Sequence, residues 1–351
     1  MVLPLDNLPA PQRILLIKPS ALGDVVTALP VLRGLRRTFP NAEIHWLVST
    51  SCSAILESDP DLDQVVLFDR KGMAKWYRSA SQFRTFRAFK KTLRDGNYDW
   101  VLDLQGLLRS SIFARMTRAK VRAGFADARE GAPLFYTHKI KTSAEHTCAK
   151  NIEFARMLGI DARDEDMTLT VRDDAASAAQ TLLAERNIAP GYLVAVPPTR
   201  WETKKYPVEH WRAVLGELAQ ERDIVLLGSP APEETSLCAA VAEGLGERVH
   251  NLAGQTTLPQ LVATIATSAG VICCDSAAKF IAPAVGVNCV CVLGPTRVKR
   301  TGPFLRGSAV VSDVDCQGCL KKRCPKPHQD CMEAISPPAV LAAVRAMLET
   351  H

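Results

Sequence analysis

Three loops in the second half of the sequence carry side chains suited to a polyanion. Pro197 to Pro207 (PPTRWETKKYP) offers Thr199, Arg200, Lys204 and Lys205 directly after an apolar run. Hydroxyl and ammonium donors suit phosphate because each such bond is charge-assisted; otherwise this is a solvated basic loop. Cys274-Asp275-Ser276 joins a second apolar run to a helical pattern, and free N–H groups at a helix start make an anion site. Asp275 either caps that helix or accepts from sugar hydroxyls. Leu293 to Phe304 (LGPTRVKRTGPF) adds Thr296, Arg297, Lys299, Arg300 and Thr301. Together the three loops point to a nucleotide diphosphate. Neither G-x-x-x-x-G-K-[ST] nor G-x-G-x-x-G is present, which argues against a phosphate-loop NTPase and a dinucleotide enzyme. In the first half, Asp24 follows the small-residue loop Ser20-Ala21-Leu22-Gly23. It either caps the next helix or faces a ligand.

These residues need elements to position them. Ile14 to Ile17 is an apolar run too short for a helix and bounded by Lys18-Pro19, hence a buried strand; Val26, Leu29, Leu32 and Leu35 then follow at helical spacing. Further strands are expected at Glu43 to Val48, Gln64 to Phe68, Tyr98 to Leu104 and Val121 to Phe125. Helices are expected at Trp76 to Arg94, Leu107 to Thr117 and His146 to Leu158. Ile160 to Arg172 reads as a linker. Strand–helix alternation restarts at Tyr192 to Val196 and runs through Ile224 to Leu227, Val249 to Leu252, Val271 to Cys274 and Cys289 to Leu293, with a helix expected from Ser276 to Val285. Such alternation predicts parallel sheets covered on both faces, with ligands at the carboxyl ends of the strands.

At 351 residues the chain is too long for one ordinary core. The expected domains are 1–165 and 166–335, both doubly wound and Rossmann-like, followed by a helix in 336–351 that packs back on the first. No apolar run approaches the ~20 residues of a membrane span. The N-terminus lacks the features of a secretory signal, so a cytoplasmic location is the default expectation. Eleven cysteines are scattered except for one group within 316–331, Cys316-x2-Cys319-x4-Cys324-x6-Cys331, with His328 inside it. In a reducing compartment, clustered thiols suggest a structural zinc or iron site; free thiols or a local disulfide are the alternatives.

LLIKPSALGDVVTALPVLRGLRRTFPNAEIHWLV resembles the N-terminal signature of the bacterial ADP-heptose:lipopolysaccharide heptosyltransferases, and TRWETKKYP, CDSAAKFIAPAVGV and LGPTRVKRTGP follow in that family's order. The resemblance implies an α/β GT-B fold, two Rossmann-like domains facing across a cleft, with the acceptor held by the first and an ADP-sugar donor by the second. It implies inverting heptose transfer to the lipopolysaccharide inner core with no metal or other cofactor. Asp24 matches the family's catalytic aspartate and Lys204 its lysine, with Tyr206 where tryptophan is usual; Thr199 matches its hydroxyl residue. Ser20 and Gly23 belong to the same motif as Asp24 and fall on the acceptor side. Arg200, Lys205, Asp275, Ser276, Lys279 and Thr296 fall on the donor side.

The family usually reads D-S-G-x-x-H where this chain has Asp275 to Phe280. Ala277 therefore replaces a glycine and Phe280 a histidine, while Lys279 supplies a positive charge. Arg297 stands where an aspartate is common. Another donor or acceptor, an epimerase-like reaction, or nucleotide-sugar binding without catalysis are the alternatives. Basic residues of the first half (Arg78, Arg84, Arg87, Lys90, Lys91, Arg94, then Arg109, Arg115, Arg118, Lys120 and Arg122) would attract an anionic, lipid-linked saccharide and the inner membrane surface, or form solvated helix faces. Arg109, after a strand end at Gln105-Gly106, is the best single acceptor contact. No nucleic-acid module is present.

Overall fold

The computed structural model describes residues 9–69, 79–326 and 329–349. The chain divides into two compact units, Met1–Met167 and Thr168–His351. The division falls inside the expected linker.

The first unit is built on β1 (Arg13–Ile17), β2 (Glu43–Ser49), β3 (Gln64–Phe68), β4 (Trp100–Asp103), β5 (Val121–Phe125) and β6 (His138–Ile140). These form one parallel sheet in the order β3-β2-β1-β4-β5-β6. Ile14, Leu15, Leu16 and Ile17 are completely buried, as a central strand covered on both faces requires. The winding reverses between β1 and β4, so their carboxyl ends define the crevice of this unit. Around the sheet lie α1 (Leu22–Val26), α2 (Leu29–Thr38), α3 (Ala80–Asp95), α4 (Leu108–Thr117) and α5 (Thr147–Arg156).

The single helix expected after the first loop is two pieces, α1 and α2. Pro30 at the second position of α2 has no N–H to offer the carbonyl of Val26, so the ladder breaks between them. Leu29, Leu32 and Leu35 remain buried as the spacing demands. Gly34 of α2 lies against the backbone at Ala162; a Cβ there would stand 2.8 Å from the Ala162 nitrogen. The α3 helix buries Phe89 and Leu93 and exposes Arg84, Arg87, Lys90, Lys91 and Arg94. Trp76 and Arg78 lie outside the described residues.

The second unit repeats the plan with β7 (Leu193–Val196), β8 (Ile224–Leu226), β9 (Val249–Asn251), β10 (Gly270–Cys274), β11 (Cys289–Val292) and β12 (Gly307–Val310). Its parallel order is β12-β11-β10-β7-β8-β9, with the reversal between β7 and β10. Its helices are α6 (Asp173–Glu185), α7 (Val208–Leu218), α8 (Pro232–Ala242), α9 (Leu258–Ala266), α10 (Ala278–Ala284), α11 (Val298–Thr301), α12 (Asp330–Glu333) and α13 (Pro337–Glu349). The sequence pattern missed β6 and β12 and started α10 two residues early. The closing helix was expected to pack back on the first half. Its buried face (Val340, Val344, Met347) belongs instead to the core of the second unit, with Trp211, Ile272 and Val290. Gly270 opens β10 directly beneath Met347, whose methyl occupies the space of the missing Cβ.

Candidate active site

In the first unit the loop after β1 carries Lys18 to Asp24. Lys18 is 5% exposed, and its Nζ donates to the carbonyl of Leu104 at 2.7 Å, joining the loops that follow β1 and β4. Burial lowers the Lys18 pKa against the opposing charges of Asp24 and Asp103. Asp24 is half-buried in the first turn of α1, where Oδ2 accepts from the Ala21 N–H at 2.9 Å. The capping role is thus taken by one carboxylate oxygen. Ser20 and Gly23 are half-buried in the same loop.

After β4, the fully buried Asp103 fixes the turn. Its Oδ1 accepts from the N–H groups of Gln105 (2.9 Å) and Gly106 (3.3 Å), and its Oδ2 from the Tyr136 hydroxyl (2.7 Å). Burial pushes its carboxyl pKa up, and these hydrogen bonds oppose the rise. The turn leaves Oε1 of Gln105 buried without a hydrogen-bond partner among the described residues. Arg109 is exposed on α4, its guanidinium 6.0 Å over the Phe68 ring. Among the described residues no hydrogen bond or ion pair joins it to the Asp24 loop. Sequence reasoning missed Lys18 and Gln105. The one available signal was a lysine directly after a buried strand.

The second unit gathers its candidates more tightly. Lys204, after β7, places Nζ 2.7 Å from Oδ2 of Asp275, after β10. Thr296, after β11, donates to the same Oδ2 at 2.6 Å. Lys279 of α10, buried to 3% exposure, pairs with Oδ1. Burial alone would raise the Asp275 pKa, but the charges of Lys279 and Lys204 outweigh it and hold the carboxyl below its ordinary range. Burial likewise acts to lower Lys279, and the Asp275 charge reverses the sign. Asp275 was expected to cap a helix or meet sugar hydroxyls. In the structure two cations and a hydroxyl meet its carboxylate.

Lys204 also lies 4.1 Å from the centroid of the Trp201 ring, a favourable place for an ammonium. The other predicted donors keep local partners. Thr199 Oγ1 donates to the Trp201 carbonyl and accepts from its N–H, Lys205 pairs with Glu202 at 2.7 Å, and Ser276 Oγ accepts from the Ala278 N–H. Arg200 is exposed. Arg297 donates to the Gly318 carbonyl at 3.2 Å. Tyr206 is buried, with its hydroxyl on the Ile335 carbonyl at 2.9 Å.

Cys316, Cys319, Cys324 and Cys331 carry no disulfide and line one small cavity. Burial, with the three neighbouring thiols, pushes Cys331 up to about 11. Among the described residues no three His, Cys, Asp or Glu side chains stand at metal-holding distances; His328 lies outside those residues. No described helix is long and apolar enough to cross a membrane.

Two doubly wound units, each presenting polar side chains at its switch point, narrow the comparison with known proteins. The sequence profile of glycosyltransferase family 9 (heptosyltransferase) matches residues 86–329. The chain belongs to glycosyltransferase family 9. Its similarity to lipopolysaccharide heptosyltransferase 1 of Pseudomonas aeruginosa is 27% identity over 318 residues, covering 89% of this chain and 87% of that protein. The Escherichia coli K12 protein of the same name is 27% identical over 304 residues, covering 85% and 93%. The solved E. coli heptosyltransferase WaaC with ADP-2-deoxy-2-fluoro heptose superposes with a TM-score of 0.74 at 25% identity, over 95% of this chain and 99% of that one. The fold of this family 9 member is therefore GT-B, as the resemblance implied.

Proposed function

We propose that this chain is an inverting glycosyltransferase that moves heptose from ADP-heptose to an inner-core lipopolysaccharide acceptor at the cytoplasmic face of the inner membrane. The observation that carries the reading is the convergence of Lys204, Lys279 and Thr296 on Asp275 at the carboxyl ends of β7, β10 and β11. In a doubly wound sheet that is where a nucleotide is held. Relatives at 27% identity are named for heptose transfer.

In the proposed reaction the acceptor hydroxyl attacks the anomeric carbon from the face opposite ADP. A new carbon–oxygen bond forms as the bond to the β-phosphate breaks. The acceptor proton passes to the carboxylate of Asp24, whose weak basicity suffices once the attacking oxygen acidifies. Ser20, Gly23 and Arg109 are assigned to the acceptor, and Thr199, Arg200, Lys205, Ser276 and Thr296 to the donor. Lys204 turns from Asp275 to the departing diphosphate and offsets its charge, while Lys279 keeps Asp275 neutralised. No step uses a metal ion, and any zinc or iron on the four thiols has a structural part. The exposed cationic face of α3 suits an anionic lipid surface, where each basic residue gains ~1 kcal/mol.

Calorimetry with ADP and a transfer assay with ADP-heptose test the reading. Asp24→Asn should leave ADP affinity intact and reduce kcat by about 10²–10⁴-fold. Lys204→Ala should weaken ADP binding. Parent-like turnover by Asp24→Asn would remove the proposed base, and ADP binding without turnover in the parent would mean a binding protein.

A further inference from the structure

The turn after β4 has its backbone held on both sides, yet the amide it presents has no partner. Leu104 donates its N–H to the Ile17 carbonyl at 3.1 Å and accepts at its own carbonyl from Lys18 Nζ at 2.7 Å. Gln105 and Gly106 then donate to Oδ1 of Asp103. Gly106 turns the chain at a φ of +66°, where a side chain would be strained. Its carbonyl accepts from the Arg129 N–H at 3.0 Å. Among the described residues nothing hydrogen-bonds the Gln105 side chain, although the residue is half-buried and its Oε1 fully so.

Such an arrangement is costly. A buried amide oxygen with no donor has given up its bond to water, and native proteins keep few such groups. The turn is held besides by Asp103 and Lys18, two charges removed from water. The position supplies a reason. β1 and β4 pair in parallel with Ile17 opposite Asp103, so the chain leaves the two strands side by side, Asp24 following one and Gln105 the other. This is the winding reversal, where a doubly wound sheet receives its ligand. Lys18 Nζ crosses from the first loop to the second and faces the charges of both Asp24 and Asp103. Neighbouring strands lie ~4.8 Å apart, a separation that two hydroxyls of one sugar ring can span. An amide carries donor and acceptor together, and a hydroxyl, itself both, complements it.

We infer that Gln105 is a specificity-determining contact for the acceptor sugar, its amide bonding a second hydroxyl of the ring that carries the attacking one, and that Lys18 and Asp103 are positioning residues that hold it there. The inference rests on the transferase reading and on Asp24 receiving the acceptor proton. Asp24 meets one hydroxyl and Gln105 another, so together they set which oxygen of the ring faces the anomeric carbon. An acceptor without the second hydroxyl leaves the amide unpaired and is rejected for that reason. Lys18 is kept, despite what its burial costs the fold, because the Gln105 turn depends on it.

The test measures initial rates of the full chain with ADP-heptose and an inner-core acceptor. It includes mono-deoxy analogues lacking, one at a time, each other hydroxyl of the attacking ring. Gln105→Met keeps the side-chain length and removes both hydrogen-bonding atoms. It should lower acceptor kcat/KM by roughly 5- to 150-fold, the cost of leaving a buried hydroxyl unpaired. ADP affinity by calorimetry should not change. One deoxy analogue should lose a comparable factor with the parent and little more with Gln105→Met, a coupling that a merely structural role would not produce. Thermal unfolding of Gln105→Met should match or exceed the parent, since an unbonded buried oxygen is gone. Lys18→Met should shrink the same discrimination while keeping ADP affinity. Parental acceptor kcat/KM in Gln105→Met, or equal deoxy penalties in both proteins, overturns the contact and leaves the transferase reading standing. A folded Lys18→Met with undiminished discrimination overturns the positioning role of Lys18. A parent that binds ADP and moves no heptose overturns the transferase reading, and the acceptor role of Gln105 falls with it.

Discussion

Lys279→Met should uncouple the proposed donor site while leaving the loops after β7 and β11 chemically unchanged. The Asp275 and Lys279 side chains are each 4% exposed, and Lys204 and Thr296 share the other carboxylate oxygen. In the proposed reaction, Lys204 leaves Asp275 for the diphosphate because Lys279 stays behind. In Lys279→Met, departure of Lys204 strands a buried carboxylate, a situation worth about 3–5 kcal/mol. ADP affinity should fall by roughly 10²–10⁴-fold at neutral pH. The penalty is relieved by protonating Asp275, so affinity of the variant should recover as pH falls while that of the parent stays flatter. Removing both charges frees Lys204 again, and Asp275→Asn/Lys279→Met should bind ADP more tightly than Lys279→Met alone. Titration calorimetry over a pH series on all three proteins, with thermal unfolding to confirm folding, is the assay. A folded Lys279→Met with parental ADP affinity, or a double variant no better than the single, would refute the reasoning.

Further outcomes are expected elsewhere. Since Asp275 is held below its ordinary pKa, its ion pairs stabilise the fold above the unfolded carboxylate pKa of ~3.9 and are lost as pH falls through the lower folded value; acid unfolding of Asp275→Asn should lack that component. Lys18 has a lowered pKa, so its buried charge destabilises the fold at neutral pH and the penalty fades as pH rises toward the unfolded value; the parent should gain stability relative to Lys18→Met across the alkaline range in denaturant titrations. Gly34→Ala should lower stability by about 1–3 kcal/mol, because the added methyl meets backbone at Ala162 that cannot swing aside. Arg109→Ala should raise KM for an anionic acceptor and leave the donor KM unchanged, as measured by initial rates with each substrate varied.

Much of the scaffold was legible because buried parallel strands announce themselves as short apolar runs. Ile14 to Ile17 and Val271 to Cys274 are examples, each ending where a functional loop begins. The edge strands β6 and β12 were not. His-Lys-Ile in β6 and Gly-Ser-Ala-Val in β12 are three and four residues long, too short for alternation to register. The loops proposed to hold the donor are legible as clusters of hydroxyl and basic residues. Their internal pairing is not, because Lys204, Asp275 and Thr296 meet only through sheet order. Lys18 was read as punctuation after a strand; its burial follows from a carbonyl 86 positions away at Leu104. Position alone leaves Asp24 as cap or ligand-facing residue and the resemblance makes it the catalytic aspartate; the geometry shows one of its oxygens in the cap. The closing helix carried a clear apolar stripe, but a stripe names no partner.

The Gly270–Met347 contact has a practical corollary for anyone altering this protein. A strand residue without a side chain and a terminal helix with a long flexible one are two halves of a single volume. Randomising either position alone samples only clashes or holes, whereas trading bulk from one to the other preserves the total. Variation at these two sites should thus be inherited as a pair, and libraries that shuffle the last helix between homologues should carry the start of β10 with it.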